Sequence, residues 1–347
     1  MDASVISESI PKIIEWYRDN RRDLPWRLSP TPYGVWISET MLQQTRIETV
    51  IGYYVRFMAE LPDVAALASV EDDRLMKLWQ GLGYYSRARN LKRAALILLE
   101  QYGGELPDTA EELCKLPGIG AYTAGAIASI AYGKPAPAVD GNVLRVLARL
   151  TAWEDDVMST KTRREATAIL EERYPIGAES GLLTEGLMEL GEVLCLPNGE
   201  PRCAECPLRD LCRAHRAGEE VRYPVRSPRK ARRVEERTVF LLCSEGKYAI
   251  RRRPERGLLA GLWEFPNTGG TLSQKEALAW AEELDLKPLA VSPVGKSTHV
   301  FTHVEWHMTG YRIEAGAAPD RFVWRTPEEI RESYSVPTAL RFYERKL

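Results

Sequence analysis

Two carboxylic acids in this sequence have the local context that acid–base chemistry needs. Glu39 lies in 33–45, YGVWISETMLQQT, where the apolar residues have the spacing of one buried helical face. A carboxyl group at the edge of an apolar, partly dry site has a raised pKa, which suits a general acid near neutral pH. Asp140 lies in 138–143, AVDGNV, where a loop delivers it to the start of a helix. An exposed helical glutamate is the alternative interpretation of Glu39.

Four cysteines have the spacing of a metal centre. Their pattern is Cys195-x7-Cys203-x2-Cys206-x5-Cys212. Four thiolates so close in sequence can enclose one metal centre. Structural zinc sites more often show two close pairs, so one close pair with two outlying cysteines favours a cubane iron–sulfur cluster. A ligand cluster, as opposed to a disulfide framework, indicates a reducing, intracellular environment. Cys114 and Cys243 stand apart from this pattern, and we expect them to be buried packing residues.

A glycine-containing turn precedes a helix of small residues. In 116–120, LPGIG, Pro117 ends the preceding element, while Gly118 and Gly120 leave backbone N–H groups unobstructed. Such groups at a helix N-terminus suit a phosphate oxygen. The predicted helix 121–132 contains five alanines and a glycine, so a neighbouring segment can approach it closely. An ordinary αα-hairpin is the alternative.

Two further stretches combine arginines with aromatic or apolar side chains. The loop 21–27, RRDLPWR, could hold a phosphate or stack on a base, or it could be a solvated corner, and its spacing does not decide. In 80–89, QGLGYYSRAR, Leu82 and Tyr84 stand between glycines as an exposed pair, which suits a wedge that enters a base stack. The alternative is that the tyrosines are core aromatics under a loop.

The last third of the chain follows a basic stretch. In 222–237 seven of sixteen residues are Lys or Arg and two are Pro, which is typical of a linker at a domain boundary. Strands are predicted near 238–242 and 248–252, and a helix near 275–284. Three of the four histidines occur in 299–307, HVFTHVEWH. They would share one face of a single strand, where an amphipathic polar face is a better interpretation than a metal site.

Composition limits the possible functions. The 347 residues have a net charge of −2, so we expect two or three domains and no global field that attracts DNA, and any DNA contact must be a local basic patch. The acidic first residues do not resemble a signal peptide, and the longest run of small apolar residues is too short to span a bilayer. A monomeric cytoplasmic protein is expected.

The sequence resembles the helix-hairpin-helix DNA glycosylases, and within them the adenine DNA glycosylase family (MutY). The motifs that carry this resemblance lie at 36–45, 81–89, 116–123 and 138–143. The resemblance implies a multidomain protein with an all-α helix-hairpin-helix glycosylase domain that carries an iron–sulfur cluster loop, and an α+β Nudix-like (MutT-like) C-terminal domain. The expected bounds are 1–216 for the helical domain (26–132 for a six-helix subdomain, 1–25 with 133–216 for the cluster subdomain), 217–236 for a basic linker and 237–347 for a lesion-recognition domain.

The resemblance also implies roles for individual residues. Glu39 would protonate the adenine, Asp140 would stabilise or trap the sugar cation as in other glycoside hydrolyses, and Asn142 would orient groups beside it. Tyr122, placed with these catalytic residues, stands where bifunctional relatives carry a lysine that forms a Schiff base, so a monofunctional hydrolase is expected. The residues expected to contact DNA are Arg27, Gln44, Thr45, Leu82, Tyr84, Gly118, Gly120, Phe301, Thr302 and His303.

The C-terminal domain is expected to recognise a lesion without Nudix hydrolase activity. If Lys275 and Glu276 occupy the Arg-Glu position of the Nudix motif, Ala279 and Trp280 replace its magnesium-binding Glu-Glu pair. The family carries a Phe-Ser-His turn that recognises 8-oxoguanine, and this chain has Phe-Thr-His at 301–303, in which threonine keeps the hydroxyl and adds a methyl group.

The expected function is therefore base excision repair of adenine mispaired with 8-oxoguanine or guanine in duplex DNA. The expected cofactor is a 4Fe-4S cluster held by the four cysteines, although their first spacing is one residue longer than is usual in the family. Two alternatives stay open. One is a glycosylase for thymine or uracil opposite guanine, and the other is a non-catalytic protein that binds damaged DNA.

Overall fold

The computed structural model describes residues 1–228 and 231–347. The chain folds into two compact units. The helical unit comprises Met1–Ser69 and Asn90–Pro228, and the sheet unit comprises Val70–Arg89 and Arg229–Leu347. Arg229 and Lys230, which belong to the predicted basic linker, lie outside the described residues. Among the described residues, none of the helices combines the length and apolar character that crossing a bilayer requires.

The first two thirds of the chain are helical, as predicted. The α-helices of this part are α1 (Ala3–Asn20), α2 (Pro25–Leu28), α3 (Pro32–Leu42), α4 (Ile47–Glu60), α5 (Val64–Ser69), α6 (Asp72–Trp79), α7 (Ser86–Gln101), α8 (Ala110–Leu113), α9 (Ala121–Tyr132), α10 (Gly141–Thr151), α11 (Thr160–Glu171), α12 (Ala178–Val193) and α13 (Arg213–Ala217). A 3₁₀ helix covers Cys203–Glu205. Of these, α6 and residues 86–89 of α7 belong to the sheet unit, which is described separately below.

A single core holds α1, α10 and α12 together in the helical unit. The apolar face of α1 contributes Ile6, Ile13 and Ile14, which pack with leucines of α10 and α12. These residues recur at helical spacing, so one face of α1 can be buried while its charged residues stay in solvent. The core therefore sets the position of α10, whose N-cap is Asp140 and whose first turn carries Asn142.

The helix α9 is buried over most of its length because its residues are small. A Cβ atom placed on Gly125 would lie 2.4 Å from the carbonyl oxygen of Pro137, so the loop that precedes Asp140 rests directly on the helix. This confirms the predicted close approach. The helix ends at Gly133, whose φ of 65° is the left-handed conformation that glycine adopts readily.

The sheet unit is built around one long central strand. Its strands are β1 (Arg233–Ser244), β2 (Lys247–Arg252), β3 (Trp263–Glu264), β4 (Asn267–Gly269), β5 (Pro288–Val300), β6 (Val304–Ala315) and β7 (Val323–Arg325). Strand β1 pairs in parallel with β6 and antiparallel with β2 and β4, while β5 and β6 form an antiparallel hairpin. The helices are α14 (Gln274–Glu282), α15 (Pro327–Ser333) and α16 (Arg341–Glu344), and a 3₁₀ helix covers Thr338–Leu340.

Both faces of this sheet are covered. Alternate residues of β1 enter two separate cores, Val239 and Leu241 on one side and Phe240 and Leu242 on the other. This is the two-residue period of a strand that is buried on both faces. The strands predicted at 238–242 and 248–252 lie within β1 and β2, and the predicted helix near 275–284 corresponds to α14.

The ends of the predicted linker 217–236 are ordered. Tyr223 is buried, and its carbonyl oxygen accepts a hydrogen bond of 3.0 Å from Arg149 Nε. At the other end, strand β1 begins at Arg233. The grouping of Val70–Arg89 with the sheet unit has no counterpart in the sequence analysis, since these residues fall inside the expected subdomain 26–132. The expected domain limits themselves stay a prediction.

Candidate active site

A cavity of about 620 Å³ in the helical unit gathers the residues predicted to be catalytic. Its lining contains Glu39, Tyr122, Asp140 and Asn142. It also contains four of the predicted DNA-contacting residues, which are Arg27, Gln44, Thr45 and Gly120. Residues from distant parts of the sequence therefore face one space.

Glu39 is a buried carboxyl group that accepts a short hydrogen bond from a tyrosine hydroxyl. Helix α3 begins at Pro32 with a cap from the Thr31 side chain to the N–H of Gly34, and it places Glu39 only 5% exposed. The interpretation of Glu39 as an exposed helical residue is therefore wrong. Tyr122 Oη donates a 2.6 Å hydrogen bond to Glu39 Oε2. Burial raises the pKa of Glu39 to about 7, and the Tyr122 hydrogen bond partly opposes this rise.

Asp140 has different partners from Glu39. It is the N-cap of α10, and its Oδ1 accepts a 2.8 Å hydrogen bond from the N–H of Val143. Burial raises the pKa of Asp140, while the backbone N–H groups of Val143 and Asn142 oppose that rise by stabilising the carboxylate. The positive end of the helix dipole also favours an anion at this position. Asp140 therefore has backbone N–H donors that stabilise its carboxylate, although burial still leaves its pKa above the ordinary value.

The side chain of Asn142 is oriented by a buried arginine. Arg145 Nη2 donates 2.8 Å to Asn142 Oδ1 and 2.7 Å to the carbonyl oxygen of Gly191, and its Nε donates 2.7 Å to that of Cys195. Because a guanidinium can only donate, the amide oxygen of Asn142 must face it, and the amide nitrogen is the end that remains for the cavity.

Two glutamates in the cavity wall were missed in the sequence analysis. Glu185 and Glu189 are one helical turn apart on α12. Glu189 accepts hydrogen bonds from Arg22, at 2.5 and 3.0 Å, and forms an ion pair of 2.9 Å with Arg27. Burial acts to raise the pKa of Glu189, but these arginines outweigh it and hold the pKa below its ordinary value. Glu185 lies 3.4 Å from Arg27 Nε, and burial raises its pKa. The available signal was an acidic i,i+4 pair that shares its helix with the apolar residues Leu183, Leu187 and Leu190.

The turn before α9 has the geometry that its glycines predict. Gly118 has a φ of +80°, and a Cβ atom on it would lie 2.7 Å from Cβ of Asn90, so the turn requires glycine there on both counts. Gly120 is the N-cap of α9, and a Cβ atom on it would meet nothing within 4 Å. The N-terminus of α9 is thus open to an approaching group.

The four predicted ligand cysteines line one small cavity of about 30 Å³. None of these four cysteines forms a disulfide bond. Arg149 contacts two of them, since its Nη1 donates 3.3 Å to Cys195 Sγ and its carbonyl oxygen accepts 3.3 Å from Cys212 Sγ. Four sulfur atoms around a single space, with a cationic donor beside them, fit a cysteine-ligated cluster.

The two cysteines outside this cavity, and a group of side chains around Cys203, can also be compared with the predictions. Cys243 is buried as predicted, but Cys114 is exposed, so the prediction of a buried packing residue is wrong there. Potential ligand atoms of Cys203, His215 and Glu220 lie within 4.8 Å of one another. In this group His215 Nδ1 is 2.5 Å from Glu220 Oε1, and this arrangement was not predicted from the sequence.

The sheet unit contains the predicted wedge and the predicted reading turn. Residues 301–303 connect β5 to β6, and the N–H of Phe301 donates 2.8 Å to the carbonyl oxygen of Val304. Thr302 Oγ1 is 2.5 Å from Tyr84 Oη, and Tyr84 is 46% exposed. Leu82, expected to be exposed, is instead 5% exposed. An apolar side chain gains free energy when it is removed from water, which accounts for the burial of Leu82.

The histidines do not share one strand. His299 lies in β5, His303 in the turn and His307 in β6, so the expected common face on one strand is wrong. Within the described residues, no group of three potential metal ligands gathers in the sheet unit.

Helix α14 contains Glu276 and Trp280, two residues of the stretch that the sequence analysis compared with the Nudix motif. Trp280 stacks on Phe240, with ring centroids 3.8 Å apart. The side chain of Glu276 accepts a hydrogen bond from the backbone N–H of Ser273 and so forms a capping box at the start of α14. Absence of hydrolase activity stays a prediction, but these contacts give the two residues structural roles.

Comparison with known proteins places this arrangement in a family. The family model of HhH-GPD superfamily base excision DNA repair proteins matches residues 37–175, and that of the NUDIX domain matches 238–343. The human adenine DNA glycosylase is 34% identical over 98% of this chain and 74% of its own length. That of Buchnera aphidicola subsp. Acyrthosiphon pisum is 32% identical over 85% of this chain and 83% of its own. The chain belongs to the adenine DNA glycosylase family.

Solved structures extend the likeness to the fold of the helical part. A thermostable thymine-DNA glycosylase matches with a TM-score of 0.53 and 26% identity over 62% of this chain and 100% of its own. A non-covalent endonuclease III–DNA complex matches with the same score and identity over 63% and 98%. The predicted family and the predicted fold class, a helix-hairpin-helix glycosylase with a Nudix-like C-terminal part, are therefore confirmed for this adenine DNA glycosylase family member.

Proposed function

We propose that the protein is a monofunctional DNA glycosylase that hydrolyses the N-glycosidic bond of adenine opposite 8-oxoguanine or guanine in duplex DNA, as a step of base excision repair. One observation carries the proposal. Two carboxyl groups with different hydrogen-bond partners line one cavity: Glu39 accepts from a phenol, and Asp140 accepts from the backbone at the start of α10. Two acids whose environments differ in this way can divide acid and charge-stabilising work between them.

Glu39 is the general acid of the proposed reaction. Its pKa of about 7 keeps a large fraction protonated at neutral pH, so it can donate a proton to the departing adenine. Adenine is a poor leaving group as an anion, and protonation of its imidazole part makes it a neutral one. The base must first leave the duplex, because the glycosidic bond of a stacked nucleotide is out of reach of the cavity.

Asp140 opposes the positive charge that develops on the sugar. Bond breaking gives an oxocarbenium-like transition state, which a carboxylate can stabilise electrostatically or trap as a covalent adduct. The backbone N–H groups at the start of α10 keep Asp140 in its acceptor role. Asn142, fixed by Arg145, would direct its amide nitrogen toward the attacking water or the sugar.

Tyr122 supports the monofunctional assignment. A bifunctional glycosylase needs an amine at this position to form a Schiff base with the sugar. The Tyr122 hydroxyl is instead committed to Glu39, at 2.6 Å, and it cannot form an imine. The product would therefore be an abasic site in an intact strand.

DNA would be held by the turn before α9 and by the sheet unit. The open helix N-terminus at Gly120 suits a phosphate oxygen, and Arg27, which lines the cavity and pairs with Glu189, would contact DNA or the base. The partly exposed Tyr84 beside Thr302 would read the base opposite adenine. This assigns 8-oxoguanine recognition to residues 301–303 together with the wedge.

The four cysteines would hold a 4Fe-4S cluster. When bound, such a cluster crosslinks the segment from Cys195 to Cys212 through its four iron–thiolate bonds. The neighbouring Arg149 would donate a hydrogen bond to a ligand sulfur, as it does to Cys195 Sγ here. We assign the cluster no step in base removal.

The test is single-turnover release of adenine from 8-oxoguanine:adenine and guanine:adenine duplexes, with Glu39→Gln as the variant. Wild type should release adenine, and Glu39→Gln should release at least about a thousandfold less, within the range that one acid–base group contributes with its hydrogen bonds. Alkali-dependent strand cleavage, without a borohydride-trapped complex, should follow. Release of thymine from a thymine:guanine duplex in place of adenine would replace the proposed substrate, and binding without release would indicate a non-catalytic protein.

A further inference from the structure

The segment Val70–Arg89 is held to the C-terminal part of the sheet unit along its whole length. Asp73 Oδ1 accepts 3.2 Å from Trp263 Nε1, near the start of α6. Gln80 Nε2 donates 2.7 Å to the carbonyl oxygen of Val336, directly after α6. Arg89 Nη1 donates 2.6 Å to the carbonyl oxygen of Ala260. Each of these bonds joins residues that are far apart in sequence.

The wedge itself, residues 81–85, is closed by bonds with its neighbouring residues. Trp79 Nε1 donates 3.1 Å to the carbonyl oxygen of Gly83, and the buried Arg87 donates 2.9 and 3.1 Å to those of Leu82 and Gly83. Tyr84 has a φ of 46°, a left-handed conformation that a tyrosine adopts only at an energetic cost. The wedge therefore has a defined shape, and its placement depends on how its two ends are held.

Gln80 holds one of these ends to the core beneath the reading turn. Val336 is 1% exposed and belongs to the same hydrophobic core as Trp306. Phe301 packs edge-on against Trp306, with ring centroids 4.9 Å apart. The next residue, Thr302, meets Tyr84. Gln80 and the wedge are thus connected twice: directly along the chain, and through the core and residues 301–303, which contact Tyr84.

We propose that Gln80 is a positioning residue that fixes the wedge relative to residues 301–303, so that Tyr84 and Thr302 face the same base. The proposal rests on the proposed function. If the proposal is correct, the preference for 8-oxoguanine over guanine depends on Gln80, whose side chain is hydrogen-bonded to a backbone carbonyl oxygen. Gln80 bonds to the carbonyl oxygen of Val336 through its amide N–H. A side chain of similar shape that has no N–H donor therefore cannot make this hydrogen bond.

Gln80→Glu tests this dependence with a nearly isosteric change that places an acceptor against the Val336 carbonyl. The matched control is Gln101→Glu, the same chemical change at the exposed last residue of α7. Adenine release in single turnovers should keep its guanine:adenine rate within about twofold, while the rate ratio of 8-oxoguanine:adenine to guanine:adenine falls about fivefold, the size of one lost hydrogen bond. Gln101→Glu should match wild type. An unchanged ratio in Gln80→Glu would overturn the proposal.

A double-mutant cycle separates positioning from general loosening. If Gln80 acts through the contact between Tyr84 and Thr302, Thr302→Ala should already remove most of the preference, and adding Gln80→Glu should lower it little further. Additive losses would show that Gln80 does not act through the turn. If Gln80→Glu fails to fold, Gln80→Met removes the donor without adding a charge and carries the same expectation.

A binding measurement keeps this proposal distinct from the proposed function. Equilibrium affinities for the two duplexes, measured in the Glu39→Gln background, report lesion preference without base removal. Failure of wild type to release adenine would end the proposed function, whereas an affinity ratio that Gln80→Glu leaves unchanged would end the positioning role. A ratio that falls about fivefold, as expected for one hydrogen bond, supports positioning in either case.

Discussion

The hydroxyl of Tyr122 donates a 2.6 Å hydrogen bond to Oε2 of Glu39, and it is 3.7 Å from Met188 Sδ. The bond joins α9 to α3, which are 83 residues apart at these positions. It stabilises the ionised form of a carboxyl group that burial otherwise keeps neutral. Tyr122 therefore influences how much of Glu39 is protonated at a given pH.

The rate of adenine release should fall as pH rises above about 7. The proposed general acid works only when protonated, and burial places the pKa of Glu39 at about 7. Above that pH the protonated fraction drops about tenfold per pH unit. A single-turnover pH profile on 8-oxoguanine:adenine duplex checks this, and a rate that stays constant from pH 6 to about pH 9 would contradict the assignment of Glu39.

Tyr122→Phe should move this alkaline limb to higher pH. Loss of the phenol removes a donor to the carboxylate, so the charged form of Glu39 loses stabilisation and its pKa rises. One hydrogen bond of about 1 kcal/mol corresponds to a shift of about 0.7 in pH. The control is Tyr132→Phe on the same helix, whose hydroxyl donates to the carbonyl oxygen of Leu106 and should leave the profile in place. A limb shifted to lower pH would show that Tyr122 does not act as a donor to Glu39.

Glu39→Gln should be more stable than wild type at alkaline pH while losing activity. Because folding raises the pKa of Glu39 from 4.5 to about 7, its ionisation costs the folded state about 3 kcal/mol above pH 7. The cost begins near pH 4.5 and is complete above pH 7. Urea unfolding at pH 8 should therefore show a gain of about 1–3 kcal/mol. Near pH 4.5 the two proteins should agree. Glu48→Gln, the same change at an exposed position, is the control. Equal stabilities of wild type and Glu39→Gln at pH 8 would show that ionisation of Glu39 does not destabilise the folded state.

The sequence predicted that Glu39 and Asp140 would share one site because these residues lie on a helix face and at a helix start, which local rules describe. The alanines of α9 predicted both its bounds, 121–132, and the close approach of the following loop. Asp140 precedes a helix, which is the position where a side-chain oxygen caps free N–H groups. Such features depend on a few neighbouring residues, so they can be inferred without knowledge of the whole fold.

Features set by distant contacts were not predictable in the same way. The burial of Leu82, the exposure of Cys114 and the partition of His299 and His307 between two strands depend on where the chain turns. The hairpin turn at 301–303 lacks the Asn-Gly or Gly pair that marks a tight turn, so the stretch resembled one strand. The roles of Glu189 and Gln80 arise from partners far away in sequence.

Loss of one cluster ligand should remove iron from the purified protein. If Cys195, Cys203, Cys206 and Cys212 hold a 4Fe-4S cluster, elemental analysis of wild type should give about four iron atoms per chain. Cys206→Ser should lose most of this iron and unfold at a lower temperature, because the loop loses its crosslink. Cys114→Ser, an exposed thiol away from the cavity, should keep iron and stability. Zinc in place of iron would overturn the cofactor assignment while leaving the four ligands.

Gly125→Ala should destabilise the helical unit and misplace Asp140. The new Cβ atom would lie 2.4 Å from the oxygen and 2.9 Å from the carbon of the Pro137 carbonyl. These are backbone atoms that cannot rotate away, so the loop carrying Asp140 must move, at a cost of about 1–3 kcal/mol. Adenine release should fall with the displacement of the carboxylate.

Gly120→Ala is the matched control for this prediction, since its Cβ atom would meet nothing within 4 Å and its φ of −94° suits alanine. Its free energy of unfolding should stay within about 0.5 kcal/mol of wild type. It should nevertheless weaken duplex binding, because the methyl group would stand where a phosphate oxygen approaches the N-terminus of α9. The two alanine variants should therefore differ in what they lose. Gly125→Ala should lose stability and adenine release, whereas Gly120→Ala should lose only affinity for the duplex. A stable Gly125→Ala protein with full activity would show that the loop before Asp140 tolerates displacement.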